Sequence, residues 1–165
     1  KVVQDKLGAK TGQKIPGTTT DAYEAKKGVT SKGFEVDVNG EINQNLSLGL
    51  GLTHFNAKDA DGKKFDIESS RTTANLFAKY SIADFRAGAG VQYKSKIYVG
   101  SGANEITQKA YTLANLMFGY RISKNFDIQL NIDNVFNKKY FEGIGNNKMV
   151  YGDPRTFNLG FTYSF

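Results

Sequence analysis

The chain contains no cysteine. No disulfide frame can hold it together, and no thiol nucleophile or zinc–thiolate centre is available to it. His54 is its one histidine, so a His-based metal set is excluded as well. Proline is confined to Pro16 and Pro154. Long hydrophobic runs are missing too: 39% of the residues are hydrophobic, the mean hydropathy is -0.45, and no segment approaches the roughly 18 apolar residues of a membrane-crossing helix. That excludes helical spans only, because a barrel strand turns half of its positions to a polar lumen and is hydrophilic on average. The formal charge is +6, yet the lysines are scattered and no basic helix is present, so nucleic acid is not an expected partner. No signal peptide opens the sequence. For an exported protein this implies a mature chain or a piece of a larger one.

What is abundant is glycine and aromatic residues, 18 Gly, 12 Phe and 9 Tyr, which with little proline suits extended strands and argues against disorder. The closing stretch from Arg155 to Phe165 has the sharpest pattern. Phe157, Leu159, Phe161, Tyr163 and Phe165 occupy every second position, with Asn158, Gly160, Thr162 and Ser164 between them. A strand sends successive side chains to opposite faces, so this one carries a continuous apolar face and a small polar face. The same alternation places strands at Phe34–Ile42, Leu46–Thr53, Arg71–Ile82, Phe85–Lys96, Thr112–Ile122 and Phe126–Asp133. It runs through Asn39-Gly40, which puts the first turn at Asn43-Gln44-Asn45 rather than at that usual hairpin signal. Phe77, Leu113 and Met117 break the pattern. The opening is less regular: Val2 and Val3 read as the end of a strand, and Gly8 to Ala22 reads as a long polar loop.

About eight strands follow, joined by connections that alternate short and long. The short ones lie near Gln44, Asp84 and Lys124. The long ones are Lys58 to Ser70, Val99 to Lys109 and Asn137 to Pro154. Membrane barrels sort their turns and loops in this way. Tyr80, Phe85, Tyr120, Phe126 and Phe165 gather at the short-turn ends, as an interfacial aromatic girdle does. A soluble ligand-binding barrel would put apolar residues inside and need not sort its loops; folding without detergent would reveal one. The fold class expected is all-β, an antiparallel transmembrane β-barrel.

The C-terminal third carries a family signature. The run NFDIQLNIDNVFNKKYF, Asn125 to Phe141, followed by YGDPRTFNLGFTYSF, Tyr151 to Phe165, resembles the end of TonB-dependent siderophore receptors. GVTSKGFEVDVNGEI, Gly28 to Ile42, and YTLANLMFGYRISKNFDIQLNIDNVF, from Tyr111, are similar to earlier strands of that family, and the nearest subgroup resembles receptors for hydroxamate or mixed-type chelates. The resemblance implies a barrel of about 22 strands around a plugged lumen, of which residues 1–165 supply about the last eight, the plug domain being absent from this chain. It implies uptake of a ferric siderophore across the bacterial outer membrane, energised by an inner-membrane TonB complex through the absent N-terminal region. The iron travels as its chelate, so no cofactor of the protein is expected. Outer-membrane lipid and the barrel-assembly machinery are the further implied partners, the latter reading Phe161, Tyr163 and Phe165 as an assembly signal. The rival reading is a complete eight-stranded outer-membrane barrel with an adhesive or structural role, for which the irregular Gly8 to Ala22 makes closure awkward.

No enzyme site stands out. Lys58-Asp59-Ala60-Asp61-Gly62 has the look of a calcium loop but lacks the later acceptors and the distal Glu, and reads as a solvated turn. Ala87-Gly88-Ala89-Gly90 lies within a strand with no helix to follow, so it cannot cradle a phosphate. Asp127 and Asp133 read as members of an inward polar ladder. The candidates for holding an anionic chelate are cations and flat aromatic faces near the long-loop ends: Arg71, Lys94, Lys96, Tyr98, Tyr111, Tyr140, Phe141 and Tyr151. For each, the ordinary alternative is lumen solvation or loop packing. Tyr151, Asp153, Pro154 and Arg155 read as shaping the last loop.

Overall fold

In the computed structural model, described for residues 2–65, 69–100, 105–145 and 148–165, the chain is built from twelve strands. They are β1 (Val2–Lys14), β2 (Asp21–Glu41), β3 (Leu46–Lys58), β4 (Thr72–Ile82), β5 (Phe85–Lys94), β6 (Ile97–Val99), β7 (Ile106–Gln108), β8 (Tyr111–Arg121), β9 (Phe126–Asp133), β10 (Phe141–Gly145), β11 (Lys148–Tyr151) and β12 (Thr156–Tyr163). They group into two compact units, residues 1–34 with 55–67, and residues 35–54 with 68–165.

In the second unit β3, β4, β5, β8, β9 and β12 follow one another in an antiparallel sheet. Its register makes the alternation of each strand agree with that of its neighbour. Leu48 stands opposite Ala78, and Leu50 opposite Leu76. Leu76 meets Val91, Ala89 meets Leu116, Phe118 meets Leu130, and Leu130 meets Leu159. One face is therefore apolar from strand to strand. A one-residue slip in any pairing would send that strand's apolar set to the polar side, so the register is strongly specified. Leu76, Val91, Leu159 and Phe161 are all exposed in the bare chain. In water such a face would be a large apolar patch; in a bilayer it is the lipid surface. Tyr80, Phe85, Tyr120 and Tyr163 lie on the same face at the short-turn end, and Phe126 stacks on Phe161 with centroids 6.1 Å apart.

The opposite face is a polar ladder. The Arg86 guanidinium donates to the Asp127 carboxylate at 2.6 Å. Gln129 donates to Asn131 at 3.1 Å, and Asn158 to Asp133 at 3.3 Å. The breaks in the pattern have a local cause. Phe77 and Met117 do point to the polar face, but they cover Gly88: a Cβ there would stand 3.0 Å from the Phe77 Cζ and 3.1 Å from the Met117 Cε. A ring laid over glycine backbone shields ladder hydrogen bonds that glycine leaves bare.

The first unit corrects the reading of the opening residues. Gly8 to Ala22 is not a long loop. β1 runs on to Lys14, β2 begins at Asp21, and a tight turn joins them, closed by hydrogen bonds from Ile15 to Thr20 and from Thr18 to Ile15. Asp21 pairs with Lys10 at 2.6 Å and with Lys14. Along β1 and the first part of β2 polar residues fall at odd and even positions alike, so no period-2 signal marked them; backbone pairing to a neighbour holds them without it.

Candidate functional site

Two of the long connections are folded rather than slack. β6 pairs with β7 in the connection after β5, and β10 pairs with β11 in the connection after β9. Ile97, Val99 and Ile144 are buried against each other, with Ile106 and Phe141 packed around them. A small apolar core thus joins the two connections. Gln108 reinforces it by accepting a hydrogen bond from the Phe141 amide at 2.9 Å.

A second knot fixes the base of the later connection. Asn134, 4% exposed, sits in the left-handed region at φ 49°, which asparagine tolerates better than most residues. Its Nδ2 donates to the carbonyls of Lys138 and Asp153, each at 2.9 Å, and its Oδ1 accepts from the Lys138 amide at 2.8 Å. Asn115 accepts from the Asn134 amide, and Asn137 accepts from the Arg155 amide at 3.0 Å. The Asn-Val-Phe-Asn run and the Gly-Asp-Pro-Arg run are therefore one clasp. A cavity of about 250 Å3 lies beside it, lined among others by Asn115, Asp133, Tyr140, Asp153 and Asn158.

Six of the eight candidate residues meet in three pairs. Arg71 donates to the Tyr98 hydroxyl at 3.3 Å. Tyr111 packs on Tyr140 with centroids 4.5 Å apart, and Phe141 on Tyr151 at 4.7 Å. Lys94 lies opposite Tyr111 in the ladder, and Lys96 is exposed. Their accessibility differs. Tyr111 is 3% exposed, whereas Tyr151 is 77% exposed. Tyr111 is thus the floor under Tyr140, and Tyr151 is a presented ring. Burial, and then the carboxylates of Glu142 and Asp153, hold the Tyr140 phenol above its ordinary pKa, so it stays neutral at physiological pH; a hydrogen bond from the Asp153 backbone partly opposes them.

Sequence reasoning missed Asn134, Gln108, Gly152 and the trio Ile97, Val99 and Ile144. Gly152 lies flat against Tyr140, and a Cβ there would stand 2.0 Å from the Tyr140 Cζ. The short alternations Ile97/Val99 and Ile106/Gln108 were the available signal, but three residues give too little periodicity to separate a strand from a loop. Asp59 accepts from the amides of Asp61 and Lys63 at 3.0 and 2.8 Å, which makes its loop a self-capped turn. Asp127 is engaged by Arg86 and Asp133 by Asn158, as an inward ladder requires.

An antiparallel sheet with a lipid face, a polar inner face and folded connections at one end defines the wall of an outer-membrane β-barrel. Residues 3–135 match the TonB dependent receptor-like, beta-barrel family, and the chain belongs to that family. It is 31% identical over 149 residues to the ferric-pyoverdine BN7/BN8 receptor of Pseudomonas putida, covering 88% of this chain and 18% of that protein. It is 30% identical over 142 residues to the catecholate siderophore receptor Fiu of Escherichia coli, covering 78% and 19%. The ferripyoverdine receptor of the outer membrane of Pseudomonas aeruginosa, solved with ferripyoverdine bound, superposes with a TM-score of 0.83 at 25% identity over 96% of this chain and 23% of that one. The chain therefore spans less than a quarter of the length of each of these three proteins.

Proposed function

We propose that residues 1–165 are the C-terminal section of the barrel of an outer-membrane receptor that imports a ferric siderophore, driven by an inner-membrane TonB complex that engages a part of the receptor outside this chain. The observation that carries the reading is the wall of two braced connections above a lipid-facing sheet, presenting Tyr151 on Phe141 and Arg71 beside Tyr98. Flat rings and a cation suit a large anionic chelate whose iron is already satisfied by its chelator. The iron is cargo, and the reading is of transport rather than catalysis. The relatives' own ligands, pyoverdine and catecholate chelates, supply the two chemistries to try first. Family membership supports the reading over a complete eight-stranded barrel.

The test is uptake of radioactive iron by iron-starved cells that carry the full-length receptor as their sole siderophore receptor. Ferric pyoverdines and ferric catecholates are offered separately, with and without a functional TonB complex. TonB-dependent uptake of at least one chelate is expected. Uptake of neither, with no binding of either to the purified receptor, overturns the reading.

A further inference from the structure

The two folded connections meet through two kinds of contact with different consequences. Ile97 and Val99 of β6 are buried with Ile144 of β10, and Phe141 packs against them. Apolar burial is non-directional, so it holds the connections together without fixing how β10 is turned. The second contact is directional. The Phe141 amide donates to the Gln108 Oε1 at 2.9 Å, and the Gln108 Nε2 donates to the Lys109 carbonyl at 2.6 Å. A backbone N–H only donates and a backbone carbonyl only accepts, so turning the Gln108 amide over would break both bonds. Its orientation is therefore fixed from both ends.

This bond falls at an irregularity of β10. Phe141 pairs with Tyr151, but the register of β10 with β11 shifts between Phe141 and Gly143, and a bulge of this kind interrupts a ladder and bends the strand. The direction in which Phe141 enters its own strand pair is thus set from the neighbouring connection, where Gln108 stands opposite Ile97 in the β6–β7 pair. The Phe141 ring in turn carries Tyr151, with centroids 4.7 Å apart and planes tilted by 42°. Tyr151 is 77% exposed, so most of its surface has no protein contact to hold it.

From this series of contacts we propose that Gln108 is a positioning residue for the Tyr151 ring, and that the connection after β5 and the connection after β9 open as one body. The proposal deepens the import reading and rests on it for the role of Tyr151 in holding a chelate. Gln108 acts through Phe141 rather than by touching the chelate, so a change in one connection alters what the other presents.

The test uses the full-length receptor purified in detergent. Q108M removes the acceptor at nearly constant length, Q108E keeps an acceptor, and Q108N keeps the amide but is one methylene too short to reach Phe141. Hydrogen exchange, measured without any chelate, should be about 2–10-fold faster in Q108M, the worth of one hydrogen bond. The acceleration should be the same in β6–β7 and in β10–β11, with β8 and β9 unchanged. The fluorine NMR resonance of a fluorotyrosine placed at residue 151 should shift in Q108M and return towards the wild-type position in Q108E. Ferric pyoverdine and a ferric catecholate are titrated separately. Whichever the wild type binds should bind Q108M about 2–10-fold more weakly, and Q108M should add nothing to the loss caused by Y151A. Q108N, with the same expectations, replaces Q108M where that variant is not assembled. Exchange accelerated in one strand pair alone, a resonance at 151 that stays in place in Q108M, no recovery in Q108E, or additive losses from Q108M and Y151A each overturns the proposal. Binding of neither chelate by the wild type overturns the import reading and with it the role of Tyr151, and the exchange and fluorine measurements then still decide whether Gln108 positions that ring.

Discussion

Replacing Gly152 by alanine isolates what the clasp contributes. The new Cβ would lie 2.0 Å from the Tyr140 Cζ and 2.1 Å from its Cε2, whereas carbon atoms in good contact are about 3.5–4.0 Å apart. The ring must move by about 1.5 Å, and Tyr111, packed on the same ring with centroids 4.5 Å apart, hinders a small adjustment. Tyr140 then leaves the stack. The Gly152 amide, which donates to the Tyr140 carbonyl at 3.0 Å, is strained with it. Overpacking of this kind costs about 1–3 kcal/mol, to which the lost aromatic pair contributes roughly 0.5–1.5 kcal/mol. That corresponds to about a 5–150-fold shift in the opening equilibrium of the connection. The effect should be local, because the sheet below is held by its own ladder and by lipid. Native-state hydrogen exchange of the β10 and β11 amides in the full-length receptor reads it directly: those amides should exchange faster while amides of β8 and β9 do not. Tyr140→Ala should abolish most of the additional cost of Gly152→Ala, since the two changes remove the same contact. Unchanged exchange in Gly152→Ala, or fully additive effects in the double variant, refutes the assignment.

Lipid-phase quenching of labels should be strong at Leu130 and weak at Asn131, adjacent residues of β9 that the register sends to opposite faces; equal quenching at both would contradict the orientation. The isolated 165-residue chain, refolded into lipid, should not migrate as a heat-modifiable monomer, because an unpaired strand edge is not tolerated in a bilayer. Deleting Phe165, which is fully exposed and whose ring can contribute little of the ~1.5–3 kcal/mol of a buried Phe, should lower the yield of assembled receptor without lowering the melting temperature of what assembles. Unchanged yield, or melting that falls in step with yield, would make Phe165 an ordinary packing residue.

Strand positions were legible wherever one side of the chain meets lipid. A period of two is imposed there by two solvents, and seven strands from Phe34 onward show it. Thr72–Ile82 and Phe126–Asp133 lie within a residue of where the alternation puts them. Even the exceptions carry information: Phe77 and Met117 depart from the pattern because Gly88 needs cover. β1 and the start of β2 were illegible for the complementary reason. Lys10, Lys14 and Asp21 are polar residues in a paired strand, and a strand that is polar on both faces looks like a loop to any reasoning based on hydrophobic period.

The candidate site divides along the same line. Its aromatic and cationic members were found as residue types near loop ends, and the pairs they form, Arg71 with Tyr98 and Phe141 with Tyr151, are consistent with that position. What organises them was not visible. Outside the membrane the connections have water around them and must build a core of their own, so Ile97, Val99 and Ile144 are buried there, while apolar residues of equal or greater size, Leu159 and Phe161, stay exposed on the sheet. The membrane part of this chain keeps its apolar residues outside and the loop part keeps them inside. A hydrophobic residue in this sequence therefore has no fixed meaning until the solvent facing it is known. The polar clasp at Asn134 sits where the two regimes meet, and there hydrogen bonds rather than burial fix the geometry: a left-handed asparagine with four hydrogen-bond connections sets the angle at which the folded connection leaves the barrel wall, and with it where Tyr140 and Tyr151 are presented.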